Sequence, residues 1–191
     1  MTKIAVVYHS GYGHTAMQAE AVGRGASKVA GAEVTVLTTD AVLEDPAQWE
    51  LLDAADAIIF GAPTYMGSAS AQFKAFMDAS SKAWFVDAWK DKVAAGFTTS
   101  GSQSGDKLST LTQLAVFAAQ HGMIWVSLGL KPGNNSSTGS VEDLNRLGSF
   151  LGAMAQANSD QGPEFGPIAS DLLTAEHLGE RVASITARLR K

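Results

Sequence analysis

VVYHSGYGHT, residues Val6 to Thr15, decides how the chain folds. An apolar run, Ile4 to Tyr8, ends in a small-residue loop, and a helical pattern begins at His14. The sequence strand, glycine loop, helix opens an α/β unit. Backbone N–H groups at a helix start attract an anion, and glycine lets the chain approach that anion closely. Ser10 and Thr15 add neutral hydroxyl donors. No lysine follows Gly13, so this is not a triphosphate P-loop. A competing reading is a dinucleotide fingerprint: Gly11-x-Gly13-x-x-Ala16, with Asp40 near the end of the second strand, where a ribose carboxylate would sit.

Working outward, four more runs read as buried strands: Val34 to Leu37, Ala57 to Phe60, Val93 to Phe97 and Met123 to Leu128. Each is apolar on successive residues, as expected when helices cover both faces of a parallel sheet. Helical patterns alternate with them, over His14–Ala30, Pro46–Ala55, Ser70–Trp84, Lys107–Gln120 and Thr174–Leu189. Phe73, Phe76 and Met77 fall at i, i+3 and i+4, one apolar face. The expected fold is α/β: a doubly wound, five-stranded parallel sheet of order 2-1-3-4-5 with helices on both faces, the flavodoxin-like arrangement.

The 191 residues, 46% hydrophobic and 17% charged, suit one such domain spanning residues 1–191. Gly129 to Asp171 breaks the rhythm with LKPGNNSSTGS and NSDQGPEFGP, around a short apolar pattern from Leu144 to Ala155. It reads as a long irregular excursion near the strand ends. A net charge of −5 argues against nucleic acid as a partner. The absence of cysteine removes disulfides, iron–sulfur clusters and a thiol nucleophile. The four histidines show no metal-ligand spacing, so no metal is expected. Ile4–Tyr8 is too short for a signal-peptide core and no run reaches transmembrane length, so a soluble, cytoplasmic chain without membrane insertion is expected.

Ligands of open α/β sheets sit beyond the carboxyl ends of the strands. The second loop there, Gly61 to Ser68, carries Pro63, Thr64, Tyr65, Met66 and Gly67, and its aromatic ring and soft sulfur suit a flat ligand ring. The third, Thr98 to Gly105, is dense in hydroxyls, glycine and free N–H groups and suits a ring's polar edge. A monophosphate loop, an apolar loop and a hydrogen-bonding loop together fit flavin mononucleotide, FMN. Trp49, Trp89 and Trp125 read as packing residues, and Glu44, Asp45, Asp53 and Asp56 as a solvated stretch.

Over residues 1–128, YHSGYGHT, GAPTYMGSASAQFKAFMD, FTTSGSQSG and AAQHGM recur in the order found in a known family. The chain resembles the flavodoxin-like NAD(P)H:quinone oxidoreductases of the tryptophan-repressor-binding-protein type. The resemblance implies that Ser10, Gly11, Tyr12, Gly13, His14 and Thr15 hold the FMN phosphate. Pro63, Thr64, Tyr65, Met66 and Gly67 would flank the isoalloxazine, and Thr99, Ser100, Gly101, Ser102, Gln103 and Ser104 its edge. His121 would reach the flavin, Trp84 would stand in the substrate pocket, and Tyr12 would also meet NADH or NADPH. It implies a homodimer or homotetramer that passes two electrons from NAD(P)H through FMN to a small quinone. Gln103 and Ser104 replace two glycines usual in the third loop, and residues 129–171 follow little of the family pattern. The alternatives are a one-electron flavodoxin-type carrier, which is usually far more acidic, or an FMN-binding redox-sensing module.

Overall fold

The computed structural model describes residues Met1–Arg190. In chain order the elements are β1 (Thr2–Tyr8), α1 (His14–Ser27), β2 (Ala32–Thr38), α2 (Thr39–Glu44), α3 (Pro46–Ala54), β3 (Ala57–Tyr65), β4 (Ser68–Ala69), α4 (Ala71–Ala79), α5 (Ser81–Phe85), β5 (Val93–Ser100), α6 (Lys107–Gln120), β6 (Ile124–Trp125), β7 (Ala153–Gln156) and α7 (Ala169–Leu189). The sheet runs β2-β1-β3-β5-β6. Counting the five main strands alone, this is the expected 2-1-3-4-5, and the pairs among them are parallel.

Alternate residues of each strand serve opposite faces. Ala5, Val7, Ile58, Phe60 and Ala94 face Leu52, Phe73, Phe76, Trp89, Leu114 and Phe117 on the side of α3, α4 and α6. Ile4, Val6, Ile59, Ala95 and Phe97 face Ala19, Val22, Leu178 and Val182 of α1 and α7. The two helices of that second layer touch backbone to backbone. A side chain at Gly25 would meet the Glu176 carbonyl, and one at Gly179 the Val22 carbonyl.

The sheet differs from the expectation at its edge. Met123–Leu128 is not one strand: β6 pairs with the first half of β5, Val93 and Ala94. The second half of β5, Phe97 to Ser100, pairs with β7 instead. The edge strand is therefore built from two pieces, and the excursion leaves between them. Val126 and Leu128 are still buried, which is why their apolar run read as strand. The pattern Leu144–Ala155 holds turns that lead into β7.

The helices differ at their ends. α1 stops at Ser27, three residues early. α7 starts at Ala169, five residues early, with Asp171 in its first turn. The expected helix Ser70–Trp84 is two helices that meet at Ser80, whose hydroxyl donates to the Met77 carbonyl. The sequence reading missed α2, which the Thr38 hydroxyl caps by accepting from the Ala41 amide. Asp45 caps α3 in the same way, ahead of Pro46. No described helix is long and apolar enough to cross a membrane.

The excursion is anchored from within. The Asn145 side chain donates to the Ser149 carbonyl at 2.8 Å and accepts from the Ser149 amide at 2.9 Å. Its own amide donates to Thr174 of α7. Arg146 forms two bonds to Asp171, at 2.8 and 2.7 Å, with both side chains almost fully buried.

Candidate functional site

The first loop turns sharply between β1 and α1. Gly13 sits at φ +88°, a conformation that a side chain would strain. A Cβ there would also lie 2.8 Å from Pro163. The Ser10 hydroxyl accepts from the Gly13 and Ala16 amides, both at 3.1 Å, and so caps the start of α1 from inside the loop. The amides of Tyr12, His14 and Thr15 form no bond to any described residue. They lie at the N-terminal end of α1, where the helix dipole and unbonded amides favour an anion.

The second loop is a hairpin between β3 and β4. Met66 and Gly67 occupy its two central positions, at φ +48° and +81°, the pattern of the tight turns that match strand twist. Met66 is fully exposed. Met66 and Gly67 make the turn, and the turn presents Met66 to solvent, the exposure expected of a side chain free to meet a ligand ring. Tyr65, before the turn, does face the first loop. Its ring meets Tyr12 edge to face at 6.3 Å, and a Cβ on Gly11 would come within 2.5 Å of its hydroxyl oxygen. Burial pushes the Tyr65 hydroxyl pKa up, Tyr12 adds to that, and the Gly11 backbone opposes it. Thr64 is turned inward and bonded to Thr98 and Thr110, each at 2.8 Å.

The third loop leaves β5. The Thr99 hydroxyl donates to Gln18 of α1 at 2.7 Å. Ser100 donates to the Ser102 carbonyl and accepts from the Lys107 ammonium. Thr99, Ser100 and Gly101 form one wall of a cleft of about 320 Å³, with Tyr12, His14 and Thr15 below and Pro63, Thr64 and Tyr65 opposite. This size is at the lower end for small-molecule sites. Gln103 and Ser104 are not in it. They line a separate groove of about 1200 Å³ between α6 and residues 146–151, on the other side of the loop. The loop bends away after Gly101, so its later residues serve a different surface.

Within one copy of the chain, two expected pocket residues lie away from this cleft. Trp84 and His121 share a cavity of about 520 Å³ with Lys74, Met77, Ser80 and Phe117. His121 caps the far end of α6, and fourteen helical residues span about 20 Å, so the helix separates it from the third loop. There its Nε2 bonds the Ser80 hydroxyl at 2.9 Å, and its ring lies 4.4 Å from that of Trp89. Its Nδ1 is buried without a partner among the described residues. Burial lowers its pKa, which favours the neutral ring.

The structure also brings in residues that the sequence reading did not assign. The end of the excursion straps across the first loop. His14 Nε2 bonds the Gln161 carbonyl at 2.9 Å, Pro163 abuts Gly13, and Ala157 and Ser159 close the cleft beside Gly101. The cluster NSDQGPEFGP marked this segment as irregular, but nothing in an aperiodic stretch says where it lies. Lys107 was the other omission. It was read only as the first residue of a helix.

The donor set fits FMN: free amides and neutral hydroxyls at a helix start for a monophosphate, an aromatic pair, and a hydroxyl wall for a ring edge. A family model described as NADPH-dependent FMN reductase matches residues 38–130. The chain is 47% identical to Flavodoxin FldP of Pseudomonas aeruginosa, covering 99% of each protein. It is 35% identical to an NAD(P)H dehydrogenase (quinone) of Geotalea uraniireducens, covering 99% of this chain and 100% of the other. Among solved structures, a flavodoxin, WrbA-like protein from Agrobacterium tumefaciens superposes with a TM-score of 0.76 at 44% identity, covering 98% and 99% of the two chains. Likeness at this level over the whole length, on a fold whose strand ends carry an FMN-type donor set, means that the chain belongs to the FMN-dependent, flavodoxin-like NAD(P)H:quinone oxidoreductase family.

Proposed function

We propose that the protein takes two electrons from NADH or NADPH and delivers them to a quinone-type acceptor through FMN held in the cleft. Bound FMN supplies the redox chemistry; the chain positions it and shapes access. The unbonded amides of Tyr12, His14 and Thr15 would take the phosphate, with the Thr15 hydroxyl beside them. Ser10 would hold the loop in shape, since its oxygen already caps two amides. Tyr65, Pro63 and the Thr99–Gly101 wall would bound the isoalloxazine, and exposed Tyr12 would meet the nicotinamide donor. Donor and acceptor would use the same open face in turn, which gives ping-pong kinetics. Residues 1–191 act in this reading as one domain. Trp84 and His121 join a cleft only through a second copy of the chain, as a homodimer or homotetramer allows.

The observation that carries this reading is one cleft that combines free amides at a helix start, an edge-to-face tyrosine pair and a hydroxyl wall. A second reading, a one-electron carrier, is favoured by the name of the 47% identical relative, Flavodoxin FldP. Anaerobic mixing separates the two. The FMN-loaded protein is mixed with NADPH or NADH, flavin absorbance is followed, and benzoquinone is then added. Rapid bleaching and quinone-driven recovery, with no lasting one-electron state, support the oxidoreductase. Bound FMN that neither nucleotide reduces at a useful rate contradicts it and favours the carrier.

A further inference from the structure

Lys107 is fully buried at the first position of α6. That position is unfavourable three times over. Burial strips the ammonium of water. The helix N-terminus presents a partial positive charge to it. And no carboxylate among the described residues lies in ion-pair range of it. Arg146, on the same groove, shows the contrast: it holds both oxygens of Asp171, one of which also accepts from the Gln156 amide. Asp171 is thus occupied. Its field at Lys107 is opposed by that of Arg146, and burial dominates, so the ammonium pKa is pushed down to about 8.

Lys107 lines the groove beside α6, and one of its ammonium's bonds reaches the cleft wall. It donates to the Ser100 hydroxyl and the Ser102 carbonyl, both at 2.7 Å. Ser100 is itself part of the cleft wall, so a positive charge sits one hydroxyl behind the surface that bounds the ring. Hydride transfer from the nicotinamide donor brings two electrons and one proton to the neutral oxidised ring, leaving a reduced ring with one negative charge and an oxidised, cationic nicotinamide. A buried cation at that distance distinguishes the two states of the ring. We propose that Lys107 is the counter-cation of the reduced flavin: held by Ser100 and Ser102 behind the cleft wall, it favours the anionic reduced ring and raises the flavin's reduction potential. Lys107 acts through the wall and is a positioning and tuning residue. The proposal rests on FMN occupying the cleft and is independent of the acceptor.

The test compares FMN-loaded wild type with Lys107→Gln and Lys107→Arg, each equilibrated anaerobically against a reference dye at pH 7. Oxidised FMN affinity is measured in parallel. The Gln variant should bind oxidised FMN nearly as wild type does but reduced FMN at least tenfold less tightly relative to it. For a two-electron couple this is a fall in potential of about 30 mV. Lys107→Arg should recover most of the difference. An unchanged potential in a folded, FMN-loaded Gln variant overturns the proposal and leaves Lys107 a structural residue. Should the variants not fold, the wild type still decides. Its reduced flavin must be anionic by absorbance at pH 7, and a neutral reduced ring refutes the proposal. If wild type takes up no FMN, the cleft assignment itself fails, which is a different result from FMN that binds but ignores Lys107.

Discussion

At the carboxyl ends of the strands the chain presents free amides, glycines and hydroxyls. At the amino ends, around Trp89 and His121, it presents packed rings: Trp89 lies against Phe60, Phe76, Phe117 and His121 with centroids 4.4–6.3 Å apart. Both ends contain buried polar groups, but they are handled differently. At the carboxyl ends most buried hydroxyls are bonded, as in the Thr64–Thr98–Thr110 cluster and the Thr99–Gln18 pair, with Thr39 the exception, while the amides of Tyr12, His14 and Thr15 have no partner among the described residues. At the amino ends, where apolar packing dominates, the one unmatched group noted on His121 is enclosed. A largely bonded framework with free donors on its rim suits binding. A ring cluster suits stability. The two ends should therefore respond differently to substitution.

The largest effect should come from a residue that crosses this division. Asp171→Asn leaves Arg146 buried with no anion, and removing one member of such a pair typically costs about 3–5 kcal/mol. Urea unfolding measures it. A loss below about 1 kcal/mol would mean that the ion pair does not anchor the excursion. Next is Gly11→Val. Its new side chain displaces the Tyr65 hydroxyl and should weaken FMN binding about 100-fold, or about 2.7 kcal/mol, with stability changed by less than about 1 kcal/mol. Equal losses of stability and affinity would erase the distinction between the two ends.

A pH effect follows. The Lys107 pKa is lower in the folded chain than its ordinary value of 10.5, so between about pH 8 and that value the unfolded chain binds more protons and stability rises with pH. Lys92 is lowered by burial and acts in the same direction. Tyr8 and Tyr65, raised by burial, oppose it once pH nears 10. In FMN-free protein, stability should rise by up to about 2 kcal/mol from pH 8 to about 9.5. Lys107→Met should flatten most of that rise, and an identical profile would place the buried charge elsewhere. The smallest effect is that of His121→Ala, which removes the Ser80 bond and the ring contact with Trp89. It should cost about 1–2 kcal/mol and leave FMN affinity within about twofold, as fluorescence titration would show. A larger change in affinity would show that His121 reaches the cleft of another copy.

Much of this was legible in the chain. Strand runs and helix periods placed the five main strands, because burial on both faces leaves an apolar mark that survives in sequence. Ser10 to Thr15 was legible because a glycine loop between strand and helix has few other uses. The hairpin turn at Met66 was not legible, because a positive φ at a non-glycine residue leaves no signature in side-chain chemistry. The split edge strand was hidden because Val126 and Leu128 are as apolar as strand residues, although the pairing with β5 ends at the Val126 amide and the Leu128 amide turns to the Phe150 carbonyl instead. The strap from Ala157 to Pro163 and the burial of Lys107 depend on contacts across the fold, to Gly13 and to Ser100, which no local pattern encodes. The shared motif AAQHGM pointed His121 at the flavin, and only the length and direction of α6 show that one copy cannot take it there.

The most direct measurement is a parallel titration of the FMN-free protein with FMN and with riboflavin, followed by flavin fluorescence. If the amides of Tyr12, His14 and Thr15 hold the phosphate, FMN binds once per chain and riboflavin at least about 100-fold more weakly. Equal affinity for the two, or no binding of either, would contradict the assignment of the cleft.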